Sequence, residues 1–250
     1  MAARHRILNM DLSDWNSRTE ALLGSEGIKR LQRARVFIAG VGGVGGYAAE
    51  MLARSGVGHL TLADADVVST SNLNRQLIAT IPNLGKSKTD LFKQRFESIN
   101  PDLETITVNE FLTPENIPQF LEAEKYDFVI DAIDTVAPKV TLITHCLLNR
   151  IPIISSMGAG GRVDPTRVEY ADLWETKEDG LARAVRQRLK KSGVRRPLRV
   201  VASSEAPRSS AIINLDERNK RSSYGTLATI PALFGIYLAS FVIKRLTEQT

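Results

Sequence analysis

Residues Gly40 to Gly46 read GVGGVGG and follow directly on a short apolar run, Arg35–Ala39 (RVFIA). Gly40, Gly42 and Gly45 fall in the spacing G-x-G-x-x-G, and the helix-like YAAEMLARSG comes next. Glycines between a strand and a helix let the chain turn tightly and bring its backbone against a phosphate. The helix amino end then offers N–H groups that have no partner within the helix. A second short strand, His59–Ala63, is closed by Asp64, nineteen residues past Gly45. A carboxylate there is placed to accept hydrogen bonds from ribose hydroxyls. The same glycines also suit close helix–strand packing with no ligand, so the loop alone does not decide the chemistry.

The rest of the chain supplies the context. Strand-like runs at Arg35–Ala39, His59–Ala63, Thr105–Val108, 127–130 and 151–156 alternate with helical stretches at 47–56, 89–99 and 137–149. A further helix is expected to open at Thr113-Pro114-Glu115, with Thr113 as its cap. Residues 16–33 read as short amphipathic helices broken at Gly24 and Gly27. Such alternation predicts an α/β fold, a doubly wound, mostly parallel, Rossmann-like sheet. We expect one domain over 1–250, with a nucleotide-binding core at 34–157. A C-terminal elaboration over 158–250 carries a basic helix (178–191) and an apolar C-terminal helix.

Composition narrows the possibilities further. With 43% hydrophobic and 24% charged residues in 250, this is ordinary globular usage. One cysteine, Cys146, excludes an intramolecular disulfide and a zinc site of paired Cys-x-x-Cys motifs. A lone thiol fits a reducing compartment, and a cytoplasmic location is expected. The amino end, MAARHRILNMDLSDW, lacks the apolar run of a secretory signal. Leu227–Ile243 carries no charge over seventeen residues but is interrupted by Pro231, Gly235 and Ser240. It reads as a buried or interfacial helix, with membrane contact the lesser alternative.

Polar residues near the loop discriminate between nucleotides. Asn72, Arg75 and Gln76 lie just after the second strand, and Lys86 and Lys88 follow in GKSK. A pyrophosphate is held mainly by backbone N–H groups. Additional cationic side chains suit a triphosphate, whose charge must be neutralised during displacement. Asp131 and Asp134 lie at the end of the fourth strand, where open α/β sheets bind ligands. Asp134 is the better placed for Mg²⁺, which takes one or two carboxylates and bridges phosphate oxygens. Asp131 fits a loop or capping role.

In this order GVGGVGG, DAD, SNLNRQ, LGKSK, NPD and DAID resemble the ubiquitin-activating-enzyme-like superfamily, which includes bacterial activators of sulfur-carrier proteins. The segment IPIISSMGAGGRVDPTRVEYADLWETKEDGLARAVRQRLKK is similar to its tRNA threonylcarbamoyladenosine dehydratase branch. The resemblance implies a doubly wound fold, a homodimer, ATP with Mg²⁺, and adenylation of a carboxylate. It implies a nucleotide site of Gly40, Gly42, Gly43 and Gly45 with Asp64 on the ribose and Asp66 nearby. Asn72, Arg75, Gln76 and Lys88 would face the phosphates and Asp134 the metal. Arg18 matches an arginine that reaches into the neighbouring subunit's site. Arg18, Arg75, Lys88 and Asp134 thus form the expected catalytic set. Thr135 departs from the Asn common in the superfamily at that point, and the zinc cysteines and thioester cysteine are absent.

From Arg183 to Arg199 there are eight basic residues and no acid. Residues 183, 186 and 190 fall near one helix face and 188 and 191 on another. Arg183, Arg186, Lys190, Lys191, Arg195 and Arg196 are expected to meet RNA phosphates, here those of tRNA. Three other readings remain open at this point: adenylation of a sulfur-carrier protein, a nicotinamide-dependent oxidoreductase, and a non-catalytic nucleotide-binding scaffold. Docking of a sulfur-transfer protein is also left open.

Overall fold

The computed structural model describes residues 14–217 and 220–248. The reading of the first thirteen residues, His5 among them, lies outside the described residues.

Seven strands form one sheet in the order β3-β2-β1-β4-β5-β7-β6. These are β1 (Arg35–Ala39), β2 (His59–Ala63), β3 (Glu104–Val108), β4 (Phe128–Asp131), β5 (Ile153–Ser156), β6 (Val168–Asp172) and β7 (Arg199–Ser203). All pair in parallel except β6, which runs antiparallel to β7 at the edge. The doubly wound expectation holds, and the elaboration beyond residue 158 extends the same sheet through β7 and β6. A hairpin, β8 (Ile212–Glu217) and β9 (Lys220–Tyr224), stands apart from it.

The central strands are apolar on both faces because both are covered. On one side Val36, Ile38, Leu60 and Leu62 pack under α1 (Ser17–Arg33), α2 (Gly45–Arg54), α3 (Lys88–Glu97) and α7 (Thr229–Thr247). On the other Phe37, Ala39 and Val129 pack under α4 (Ile117–Glu122), α5 (Val136–Leu148) and α6 (Gly180–Lys191). The register aligns Ala63, Ala39, Asp131 and Ser155 in one row, so four strand ends open on one edge. The chain's order reverses between β1 and β4, and the crevice of such a sheet lies there.

Three local expectations change. Within α1 only Gly24 is non-helical, at φ 73°, whereas Gly27 stays helical and packs against Leu23 and Thr247. Thr113 does not cap a helix. It forms a turn in which its backbone N–H donates to Asn116 Oδ1 (2.8 Å), and Asn116 is the N-cap of a helix starting at Ile117. Helix α2 begins at Gly45, two residues early, because Gly46 N–H already donates to the carbonyl of Gly42 (3.0 Å).

Helix α7 is long and apolar enough to cross a membrane by length and composition. Here Ile230, Phe234, Leu238 and Val242 are buried against the sheet and α2, as a core helix requires. At Gly235 an added Cβ would overlap the carbonyl of Val44 and lie 2.8 Å from Tyr47 Cβ. The two helix backbones therefore touch beside the glycine loop.

Candidate active site

The glycine loop leaves β1 with Gly40 at φ 85°, a left-handed conformation that L side chains resist. An added Cβ at Gly45 would overlap the carbonyl of Gly40 and sit 3.1 Å from Ala132 Cβ, so this glycine serves helix–strand contact. Gly42 and Gly43 are different. A Cβ at Gly42 would meet only Gln76 Nε2 at 3.6 Å, and one at Gly43 would meet Arg75 Cγ at 3.4 Å and Pro231 Cβ at 3.5 Å. Their faces look onto the residues expected at the phosphates.

Asp64 and Lys88 form the wall beside β2. Asp64 accepts from Val41 N–H (2.8 Å) and Asp66 N–H (2.9 Å), so its carboxylate braces the loop as well as ending the strand. Burial pushes the Asp64 carboxyl above its ordinary value, against the opposing pull of Lys88 and the two N–H donors. Lys88 is 3% exposed, with Nζ 2.7 Å from Asp66 and 3.9 Å from Asp64. A buried ammonium shared by two carboxylates at a strand end is a compact cationic point beside the loop. Lys86 lies exposed, its Nζ 3.5 Å from Asn83 Oδ1.

The SNLNRQ segment folds over the loop. Asn72 is buried, and its Oδ1 accepts from Ser69 N–H (3.1 Å), fixing the turn. Arg75 is half-buried, its Nη1 donating to Ser71 O (2.7 Å) and Asn74 Oδ1 (2.9 Å). Asn74 in turn donates to the carbonyl of Thr226 (2.9 Å), a tie to the C-terminal part of the chain that the sequence does not signal. Gln76 is buried next to Gly42, and its Oε1 has no hydrogen-bond partner. A buried amide oxygen left unpaired is costly and marks a place where a ligand or water belongs.

Across the crevice Asp134 lies exposed beyond β4 and just ahead of α5. Asp131 is fully buried. It pairs with Lys139 Nζ (2.8 Å) and accepts from Ser155 Oγ (2.5 Å) and Ile133 N–H (3.1 Å). The expected loop or capping role does not hold, because Asp131 is the last residue of β4 and is buried in an ion pair with Lys139, which the sequence reading missed. The available signal was a lone lysine on the same helical stripe as Val136, Val140 and Ile143. No three His, Cys, Asp or Glu side chains gather to hold a metal among the described residues. A single carboxylate opposite a phosphate cradle is still what Mg²⁺ needs when nucleotide oxygens complete its shell.

Arg18 is exposed in the first turn of α1, away from these groups. Its neighbour Asn16 lies 4.0 Å from where a Cβ of Gly56 would be, just past the far end of α2. Helix α2 spans ten residues, so the end beside Asn16 is about 15 Å from the loop along that axis.

On the other flank α6 buries Ala182, Val185 and Leu189 and exposes Arg183, Lys190 and Lys191, with Arg195 and Arg196 exposed beyond it. Arg186 departs from the expected RNA-facing set. It is half-buried, and its Nη1 donates to Thr176 Oγ1 and to the carbonyls of Leu173 (3.1 Å) and Thr176 (3.0 Å). It ties the helix to the preceding turn. Arg150, in a left-handed conformation, and Arg199 line a shallow cleft with Arg196 and extend the basic surface. Cys146 is buried, and burial pushes its thiol up to about 12, a packing role rather than a nucleophile.

The fold, with its glycine loop at the switch point of the sheet, is that of a doubly wound α/β protein. A model of the ThiF family matches residues 16–250, and the chain belongs to that family. It is 46% identical over 244 residues to a tRNA threonylcarbamoyladenosine dehydratase of Bacillus subtilis, covering 93% of this chain and 94% of that one. The crystal structure of the Escherichia coli tRNA N6-threonylcarbamoyladenosine dehydratase with ATP superposes with a TM-score of 0.86 at 35% identity, covering 93% of each chain. The same enzyme with AMP gives a TM-score of 0.84, covering 93% of this chain and 94% of that one.

Proposed function

We propose that this protein is an ATP-dependent dehydratase that cyclises threonylcarbamoyladenosine beside the tRNA anticodon. One observation carries the proposal. The glycine loop at the β1–β4 crevice bears on Gln76 and Arg75 and reaches Lys88 through Asp64, and Asp134 follows β4 at the same edge, in a chain similar over almost its whole length to such dehydratases.

The chemistry asks for alignment rather than for a base. The substrate carboxylate is already ionised near neutral pH. One of its oxygens attacks the α-phosphorus of ATP and pyrophosphate leaves, giving an acyl-adenylate. The carbamoyl nitrogen then attacks the acyl carbon, loses its proton, and AMP departs with the carboxylate oxygen. The net change in the nucleoside is loss of one water.

Gly42 and Gly43 let the backbone approach the phosphates. Asp64 orients the ribose, while Asn72, Arg75 and Lys88 offset charge on the leaving pyrophosphate. Gln76 offers its unpaired amide oxygen beside the loop. Asp134 would hold Mg²⁺, which supplies charge neutralisation at the phosphates when bound. Two copies of the chain assemble, and Arg18 of one copy completes the site of the other. Arg183, Lys190, Lys191, Arg195 and Arg196 hold RNA phosphates. The lone, buried thiol fits a cytoplasmic enzyme.

The test is mass analysis of anticodon nucleosides after incubation of modified tRNA with ATP. The expected product is lighter by one water, with pyrophosphate and AMP released in equal amounts. An unchanged nucleoside mass despite bound ATP refutes the activity. Asp134→Ala is expected to remove turnover with the fold intact, and near-normal turnover in it refutes the metal assignment.

A further inference from the structure

Behind Asp134 lies a closed arrangement of charge that touches no candidate ligand. Asp131, Lys139 and Ser155 are each 0% exposed. Lys139 Nζ lies 2.8 Å from Asp131 Oδ2 and donates to the carbonyl of Ile133 at 2.8 Å. Asp131 Oδ1 accepts from the N–H of that same Ile133 (3.1 Å), and Ser155 Oγ donates to Asp131 Oδ2 (2.5 Å). Both polar groups of the residue immediately before Asp134 are thus gripped, one by each member of an ion pair.

A two-ended grip on Ile133 fixes the peptide plane that leads into Asp134. The segment is pinned upstream as well, since Ala132 N–H donates to the carbonyl of Ala39 (2.9 Å). Ala132 also bears on the glycine loop, its carbonyl oxygen lying 3.0 Å from where a Cβ of Gly40 would stand. Helix α5 has no side-chain cap at Thr135 to hold the segment from its far side. We infer that the buried Asp131–Lys139 pair, braced by Ser155, is a positioning device that sets Asp134 at a fixed distance from the glycine loop. Neither member touches the reacting atoms; both act through Asp134. The inference rests on the reading of Asp134 as the Mg²⁺ ligand.

Breaking one half of the pair strands a buried charge, so the informative variant removes both charges. In Asp131→Asn/Lys139→Met the amide oxygen still accepts from Ile133 N–H and the amide NH2 donates to Ser155 Oγ in place of the bond that oxygen gave, while the grip on the Ile133 carbonyl is lost. Two isotherms are measured on the folded full-length protein: AMP binding without metal, and ATP binding as a function of Mg²⁺ concentration. The expected result is AMP affinity within twofold of the parent and a Mg²⁺ requirement raised about tenfold. That corresponds to about 1.4 kcal/mol. A merely structural role would weaken AMP binding as much as the Mg²⁺ response, and that outcome overturns the inference. An unshifted Mg²⁺ requirement overturns it too.

Asp134→Asn is run beside it and keeps the two readings apart. If Asp134→Asn shifts the Mg²⁺ requirement and the double variant does not, the positioning role falls alone. If Asp134→Asn shifts nothing, the metal reading falls and takes the inference with it. Should the double variant fail to fold, Ser155→Ala replaces it. It is expected to raise the Mg²⁺ requirement about threefold at constant AMP affinity, and no change overturns the inference.

Discussion

An alanine at Gly45 would drive its Cβ into the carbonyl of Gly40, whereas an alanine at Gly42 would meet only the amide of Gln76 at 3.6 Å. Two glycines of one motif therefore answer to different demands. Gly45→Ala must displace backbone, and we expect a stability loss of about 3 kcal/mol, as for other overpacked sites. Gly42→Ala is expected to unfold within about 1 kcal/mol of the parent, because nothing rigid opposes the methyl. Its ATP affinity should nonetheless fall at least about tenfold, roughly 1.4 kcal/mol, since the methyl occupies the phosphate approach. Denaturant titration and nucleotide titration on the two variants separate the effects. If Gly42→Ala binds ATP normally, the loop is a packing device throughout. The spacing of these glycines was legible because a period along the chain reports backbone need directly. That Gly43 faces Arg75 and Pro231 was not, since Pro231 arrives from a helix at the other end of the sequence.

Helices α2 and α3 are joined by Glu50, which is 3% exposed. It accepts two bonds from Arg95 (2.7 and 2.9 Å) and one from Arg54 (2.7 Å). Burial pushes the Glu50 carboxyl up, but the bonds from Arg95 and Arg54 outweigh it and hold the group below the usual carboxylate range. A depressed carboxyl contributes stability that is fully present above its unfolded value, near pH ~4.3. That contribution is lost as pH falls through the folded value. Glu50→Gln is therefore expected to be less stable than the parent at pH ~6, by about 1 kcal/mol, since Arg54 and Arg95 remain solvent-accessible without it. The gap should narrow as the pH drops below ~4.3. Melting curves of both proteins across that range test it, and a gap that stays constant removes the ion-pair account. Elements of this kind were well read where periodicity and glycine coincide, as in β1 and α2. They were misread at Thr113, where Ser/Thr and Asn compete for the same capping bond and the spacing does not say which wins. The buried lysine of α5 escaped for a related reason. A single charge on an apolar stripe has no meaning until its partner, eight residues earlier on β4, is brought beneath it.

A doubly wound, mostly parallel sheet that binds ligands at its carboxyl edge was legible from the alternation, whereas the strand order and its reversal between β1 and β4 came only with the structure. On the proposed reading, a single chain does not complete the cationic set. Arg18 follows two residues after Asn16, which lies beside the end of α2 that points away from the crevice, about 15 Å along the helix from the glycine loop. That exceeds the reach of one arginine side chain. If it serves catalysis, it serves a site on another copy, and a two-fold dimer supplies that relation twice. Complementation tests it at the level of the assembly. Arg18→Ala and Asp134→Ala are each expected to be nearly inactive. Co-expressed in equal amounts, half of the dimers are mixed. Each mixed dimer then holds one site with both residues intact and one with neither. Dehydration of tRNA nucleosides should therefore recover to about one quarter of the parent rate. The chain's own packing need not change, so each variant alone should melt as the parent does. Recovery to a quarter requires the arginine to act across the interface. Activity that stays at the level of two inactive single variants refutes action across the interface, whereas an Arg18→Ala variant that turns over normally places Arg18 outside the reaction and leaves the crevice to Arg75 and Lys88 for its positive charge.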